Sequence, residues 1–595
     1  MQFKTIEMNK KNNLTTKETF ALAVQNHQKN NLKVAENLYK KILKTDPNHA
    51  SAHNNLGLVF QAFAEFQKAR SCYEKAIEIQ PNYANAYNNL GLVLKELGER
   101  KKAISNYEKA IEINPNFAQT HNNLGLVFYG LRELQKAISS YQKAIEIQPN
   151  FADAHNNLGV TFNELRENQK AINCYEKAIE IQPDYAGAYL NLGNVLKELG
   201  EYQKAKSFYQ KAIEINPKFS NANLNLGIIF EELGEFRKAI NFYEKALKLN
   251  PDSINAQASI SNIYITQLNN LEKAINASYK TIKMQYRTSK FINQKISLYR
   301  LKHDVQQAEY LSSKNYKING INKFQKIGNE ILSRKENGRD NGNFNEKILL
   351  SHDEINSLLP FYKTYHIYQT SKISKSCINP LKNWQDVEEE YFNSPKQIIY
   401  IDNFLSDEAI KELREFCLVS KIWNIEYKDK YLGATSDKGF ISPIHLQIAI
   451  ELKQKLPKLF GQHILGKFWA FKYDTTLGKG INVHADFAVH NLNFWITPDE
   501  YNNNKNSGGL KVYDAPAPED WSFQQYNRNT TDQIYKFLND NNANCTNIPY
   551  KFNRAVLFNS AYFHETDKIN FIAGYESRRI NITYLFGNRL VKKKN

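Results

Sequence analysis

The stretch ASAHNNLGLVFQAFAEFQKARSCYEKAIEIQPNY, residues 50–83, decides how the chain before residue 285 is read. Leu56, Val59 and Phe60 fall at helical spacing, and so do Ala69, Tyr73, Ala76 and Ile77 further on. A turn separates the two patterns, and Pro81 stops the second. The layout returns every 34 residues, at Pro47, Pro81, Pro115, Pro149, Pro183, Pro217 and Pro251. Gly57, Gly91, Gly125, Gly159, Gly193 and Gly227 keep the same step, as do Ala69, Ala103, Ala137, Ala171, Ala205 and Ala239. These small residues let paired helices approach closely. A fixed period of this size predicts a solenoid of helix pairs, none of which can bury its apolar face alone. About eight units fit residues 16–285, the first and last degenerate as caps.

The recurring pattern NNLGLVF…KA…YEKAIEIQP resembles the tetratricopeptide repeat. One repeated position asks for more than packing. Asn55, Asn89, Asn123, Asn157, Asn191 and Asn225 form a ladder, although Asn is a mediocre helix former. The resemblance implies that this Asn lines the concave groove and bonds the backbone of an extended protein or peptide partner. The alternative is that repeat duplication carried it along and it bridges helices. His53, His121 and His155 share a register with Tyr87 and Tyr189, which predicts structural rather than metal-binding histidines.

The whole chain has 595 residues, 42% apolar and 23% charged, so it exceeds one core and reads as several folded domains. Its net charge of +17 comes from Lys spread along the chain. With no compact basic-aromatic motif, a nucleic-acid partner is not expected. Five cysteines form no CxxC pair, against a zinc or disulfide framework. The start, MQFKTIEMNKKNN, lacks the apolar core of a secretory signal, and no run of 18 apolar residues predicts a membrane span. A reducing, cytoplasmic setting is expected.

Residues 286–395 lose the period. The segment 285–347 holds 13 Lys or Arg against 6 Asp or Glu, with a helical stretch from Ile296 to Leu311 and a polar run, SRKENGRDNGNFNEK, at 333–347. It reads as a basic linker with accessory helices, the rival being a docking surface for an acidic partner.

From residue 396 the texture turns to apolar runs: QIIYIDNFL, KFWAFKYD, HNLNFWIT, GGLKVYD, RAVLFNS and RINITYLFG. These predict strands, with Ser406 capping one helix over DEAIKELREFC, and many strands with few helices imply a sandwich or barrel. VHAD places His484 and Asp486 two apart, on one face of a strand, and His564 follows far downstream in AVLFNSAYFHET. Two His and a carboxylate so arranged suit a facial triad for non-haem Fe(II). Strand alternation in SRRINITYLFG puts Arg579, Asn581 and Thr583 on one face and Arg578, Ile580, Ile582 and Tyr584 on the other. Arg579 is therefore the better inward cation, suited to a dicarboxylate. His490, on the parity of Asp486, reads as structural or supporting.

Together these motifs make residues 396–590 resemble the Fe(II)/2-oxoglutarate dioxygenases of prolyl 4-hydroxylase type. The resemblance implies a double-stranded β-helix, or jelly roll, after the α-solenoid. It implies iron on His484, Asp486 and His564, and 2-oxoglutarate on Arg579, with Asn581 where the family often has Ser. It also gives Tyr473 a part in binding the cosubstrate, though Gly478 of the family's Tyr-x-x-Gly stretch comes five residues later. Dioxygen is the other cosubstrate and ascorbate an optional reductant. The 78 residues from Asp486 to His564 imply an inserted loop around 514–547. The expected function is a hydroxylase acting on a protein or peptide recruited by the repeats. Alternatives are the same chemistry on a small metabolite or glycan, a non-catalytic scaffold, and a glycosyltransferase, for which no nucleotide-sugar signature exists.

Overall fold

The computed structural model describes residues 14–267, 270–288, 295–337, 347–370, 373, 375–427, 431–474, 480–527 and 531–588. Gly478 and residues 338–346 of the polar run lie outside them. The chain divides into two compact units, Met1–Phe242 and Tyr243–Asn595.

From Thr16–Gln28 to Leu271–Thr288, sixteen helices follow one another as antiparallel hairpins, among them Ala50–Ala62 with Phe66–Ile79 and Ala84–Glu96 with Arg100–Ile113. The close approach has a specific cause. A Cβ added at Gly57 would fall 2.5 Å from the Tyr73 ring, and Gly91, Gly125, Gly159 and Gly193 face Tyr107, Tyr141, Tyr175 and Tyr209 in the same way. Glycine on the first helix and tyrosine on the second are thus one device, repeated. The histidines are structural, as expected: His53, His121 and His155 bond through Nε2 to the carbonyls of Pro47, Pro115 and Pro149 at 2.9, 3.1 and 3.0 Å. Ala64, Gly98, Arg132, Arg166, Gly200 and Gly234 turn the chain between paired helices at positive φ.

Among the described residues the second unit has twelve strands: β1 Lys295–Ser297, β2 Lys347–Leu349, β3 Ile398–Ile401, β4 Ile425–Glu426, β5 Tyr431–Thr435, β6 Leu465–Tyr473, β7 His490–Trp495, β8 Leu510–Pro516, β9 Cys545–Ile548, β10 Ala555–Asn559, β11 Tyr562–Thr566 and β12 Ile580–Phe586. Seven make an antiparallel sheet in the order β3-β10-β7-β12-β6-β5-β4, and three make a second sheet, β11-β8-β9. His484 joins the smaller sheet through an antiparallel bridge to His564 on β11. The larger sheet buries Ile580, Ile582 and Tyr584 in a core with Leu413, Phe416, Leu446 and Ile448 of helices Asp407–Val419 and Pro443–Lys455. Another core joins Tyr473, Trp495, Val556 and Phe558 of the large sheet to Leu510, Val512 and Ile548 of the small one. Ser406 caps its helix as expected, its Oγ accepting from the Ala409 amide at 3.3 Å.

Residues 286–395 correct the linker reading. Helices Leu298–Ser313, Ile321–Asn337 and His352–Lys363 share a core with Leu418, Val419 and Tyr575, so this segment is integral to the second unit. A few of its charges turn inward. Asp304, 2% exposed, takes Arg300 at 2.5 Å, His303 at 2.9 Å and the Tyr362 hydroxyl at 2.8 Å. The insertion at 514–547 is folded too, with helix Thr531–Asp540 and an aromatic cluster of Trp521, Phe537 and Phe563.

Candidate metal and cosubstrate site

His484, Asp486 and His564 come together. Their ligand atoms all lie within 4.8 Å of one another, with His484 Nε2 4.0 Å and His564 Nε2 3.5 Å from the Asp486 carboxylate. Backbone pairing brings this about. His484 and His564 exchange N–H···O bonds of 3.0 and 2.8 Å, and the Asp486 amide donates to the Ser560 carbonyl at 3.1 Å. Each imidazole is also oriented. The carbonyls of Asn482 and Tyr562 accept from Nδ1 of His484 and His564 at 2.9 and 3.0 Å. A carbonyl can only accept, so Nδ1 carries the proton and Nε2 keeps its lone pair for the centre. Burial, with His564 adding to it, pushes the His484 imidazole down to about 4, so it is neutral at pH 7.

Arg579 lies inside, 1% exposed, its guanidinium 4.8 Å from the Tyr473 ring and 5.7 Å from Trp495. Its Nε donates to the Gly508 carbonyl at 2.6 Å and one Nη to Gly509 at 3.2 Å, while the other Nη is buried with no partner. The Trp495 indole N–H is likewise buried and unpartnered. Two orphaned donors in one aromatic-walled interior fit a carboxylate. Arg578 points to the other face, pairing with Asp474 at 2.9 Å and Gln306 at 2.8 Å. Tyr473 faces inward, its hydroxyl 3.5 Å from Thr566 Oγ1. Asn581 does too, but its amide donates to Asn493 at 2.8 Å, so it supports the interior through a neighbour.

Sequence reading missed four contributors. Asn491 donates to Asp486 at 2.7 Å, and Asn493 donates to Asn491 at 2.5 Å. The signal was an Asn-x-Asn alternation in HNLNFW. On the insertion, the Tyr526 carbonyl accepts from the Ala485 amide at 3.0 Å and the Asn527 amide donates to the Ala485 carbonyl at 2.9 Å, which ties down the residue between two ligands. His490 is corrected in parity. It packs against Tyr391, Phe460 and His463, away from Asp486, because the chain from 487 to 489 bends before β7 begins.

The asparagine ladder is built differently from a free row of amides. Nδ2 of Asn89, Asn123, Asn157 and Asn191 donates to Asn54, Asn88, Asn122 and Asn156 of the preceding repeat at 3.0, 3.0, 3.1 and 2.9 Å. Asn225 donates to Asn194 at 2.8 Å and Asn55 to the Tyr39 hydroxyl at 3.4 Å. Each amide thus directs one of its two N–H donors to a neighbouring repeat, the contact that the bridging alternative expects.

Family models for the tetratricopeptide repeat match residues 48–116, 84–150, 116–184, 150–218 and 220–253. Residues 48–253 are thus a tetratricopeptide-repeat array. Among solved structures the chain is similar to pilF of Pseudomonas aeruginosa, at 24% identity over 35% of this chain and 95% of that one, with a TM-score of 0.32. It is also similar to YrrB, described as a TPR protein with an unusual peptide-binding site (24%, 31% and 95%, TM-score 0.27), and to MamA (31%, 27% and 95%, TM-score 0.26). No curated protein matches the chain.

Proposed function

We propose that residues 396–590 form an Fe(II)/2-oxoglutarate-dependent oxygenase that hydroxylates a protein or peptide recruited by the repeats. The observation that carries this reading is the convergence of ligand atoms of His484, Asp486 and His564 within 4.8 Å of one another, in an interior that also holds the orphaned donors of Arg579. The strand pairing supports a double-stranded β-helix. The order β6-β12-β7-β10 in the large sheet faces the His484 segment-β11-β8-β9 in the small one, and the chain alternates between them except from β8 to β9, which pair within the small sheet.

In this reading His484 Nε2, His564 Nε2 and an Asp486 oxygen would hold iron. Arg579 and Trp495 would bind the distal carboxylate of 2-oxoglutarate, and Tyr473 would wall the aromatic slot that excludes water. Bound iron supplies dioxygen activation coupled to oxidative decarboxylation of 2-oxoglutarate, and the protein supplies orientation. The array supports protein or peptide recruitment, since tetratricopeptide repeats bind such partners. A scaffold without catalysis is the second reading, favoured by family matches that fall at 48–253. Among the described residues no helix is long and apolar enough to cross a membrane.

Succinate formation separates the two. With Fe(II), 2-oxoglutarate and dioxygen, the wild-type chain should release succinate slowly without any protein substrate, and His484→Ala and His564→Ala should not. No succinate from iron-loaded wild type, or an equal yield from both variants, would leave the scaffold.

A further inference from the structure

The Asp486 carboxylate ends a chain of side-chain hydrogen bonds that crosses the interior of the large sheet. Thr583 Oγ1 and Asn581 Nδ2 both donate to Asn493 Oδ1, at 2.7 and 2.8 Å. Asn493 Nδ2 donates to Asn491 Oδ1 at 2.5 Å, and Asn491 Nδ2 to Asp486 Oδ2 at 2.7 Å. Every member is at most 5% exposed. The direction is set from the Asp486 end. A carboxylate only accepts, so Asn491 must present its NH2 to Asp486 and its oxygen to Asn493. Asn493 must then turn its own oxygen toward Thr583 and Asn581. Thr583 agrees, because its oxygen lies 3.4 Å from the Asn581 amide donor and its hydroxyl proton is left for Asn493.

We propose that Asn491 and Asn493 are positioning residues that lock Asp486 in its ligating orientation, with Thr583 and Asn581 anchoring the far end of the relay. The inference rests on the metal-site reading above. One lone pair of Oδ2 is engaged by Asn491, so the carboxylate cannot rotate freely about its Cβ–Cγ bond. Without Asn491 that restraint on Oδ2 is lost, and part of the ligand geometry must be organised when the metal arrives. In a low-dielectric interior such a relay is also strongly directional, since reversing one amide leaves two donors or two acceptors face to face.

The test uses the full chain, stripped of metal by a chelator and titrated with Mn(II) alone by equilibrium dialysis. Asn491→Ala should weaken Mn(II) binding by about 10- to 100-fold, the range seen when partners of ligating side chains are removed. Thr583→Val, which keeps volume and removes the donor, should weaken it in the same direction, and Thr583→Ser should restore it. Metal-free thermal unfolding of Thr583→Val should match Thr583→Ser, which a merely structural role would not give. Wild-type Mn(II) affinity in Thr583→Val, whether or not Asn491→Ala folds, would overturn the relay while leaving the metal site standing. A wild-type chain that binds no Mn(II) would overturn both.

Discussion

At the scale of single residues the repeats show two solutions to one turn. Gly98, Gly200 and Gly234 take φ of 74 to 79° between their paired helices, whereas Ala64 stands at the same place with φ of 57°. A Cβ there crowds the following carbonyl, a cost of about 1–2 kcal/mol. Ala64→Gly should raise the thermal midpoint of the repeats, since the strain removed exceeds the backbone entropy lost. A lower midpoint would show that the turn is relaxed as it is. The asparagine ladder makes the opposite prediction. Asn89 to Asn191 each bond an Asn one repeat back, at an offset of 35 residues, and each such bond contributes about 0.5–1.5 kcal/mol. Replacing Asn123, Asn157 and Asn191 together with Ala should lower the unfolding midpoint of the array. An unchanged midpoint would return these amides to the groove. The ladder was legible in the sequence but its partner was not, because the partner is a second ladder one residue earlier that is only four asparagines long.

At the scale of elements, β12 shows what strand alternation can and cannot tell. It separated Arg579 from Arg578 correctly, since β12 pairs without a bulge from Ile580 to Leu585 against β6. Their substitution should split accordingly. Arg579→Met should raise the apparent KM for 2-oxoglutarate at least tenfold with little change in metal binding. Arg578→Met should leave that KM near wild type and reduce stability by about 3–5 kcal/mol, because it removes the cation from a buried ion pair. The reverse ranking in steady-state kinetics and denaturant unfolding would mean the faces are exchanged. Alternation failed for His490, where the chain leaves strand geometry between Asp486 and β7. It also gave no hint of β4, β5 or β9, short strands that lack a strong apolar pattern of their own and form against neighbours. The 34-residue period, by contrast, needed no tertiary partner to be read, since each Gly meets the Tyr of its own hairpin.

At the scale of the molecule, the segment read as a basic linker is where sequence reasoning fell furthest short. Its charges suggested solvent, yet several are buried against each other or against backbone. Lys421, which faces this segment, donates to the carbonyls of Phe361 and Thr364, the latter at 2.9 Å, and burial pushes its ammonium down from 10.5 to about 7. Between those values the unfolded chain holds a proton that the folded chain does not, so stability rises with pH across that window. Unfolding followed at pH 7 and pH 9 should show this gain in the wild type and a flatter profile in Lys421→Met. Equal slopes would mean that Lys421 keeps its proton when folded. The function proposed for the same unit needs metal and acid to meet in one interior. That is tested most directly by calorimetric titration of 2-oxoglutarate into the full chain, with and without Mn(II), in the absence of dioxygen. Saturable binding that requires Mn(II) and is lost in both His484→Ala and Arg579→Met is the expected result. No binding with Mn(II) present, or binding indifferent to the metal and to both substitutions, would contradict it.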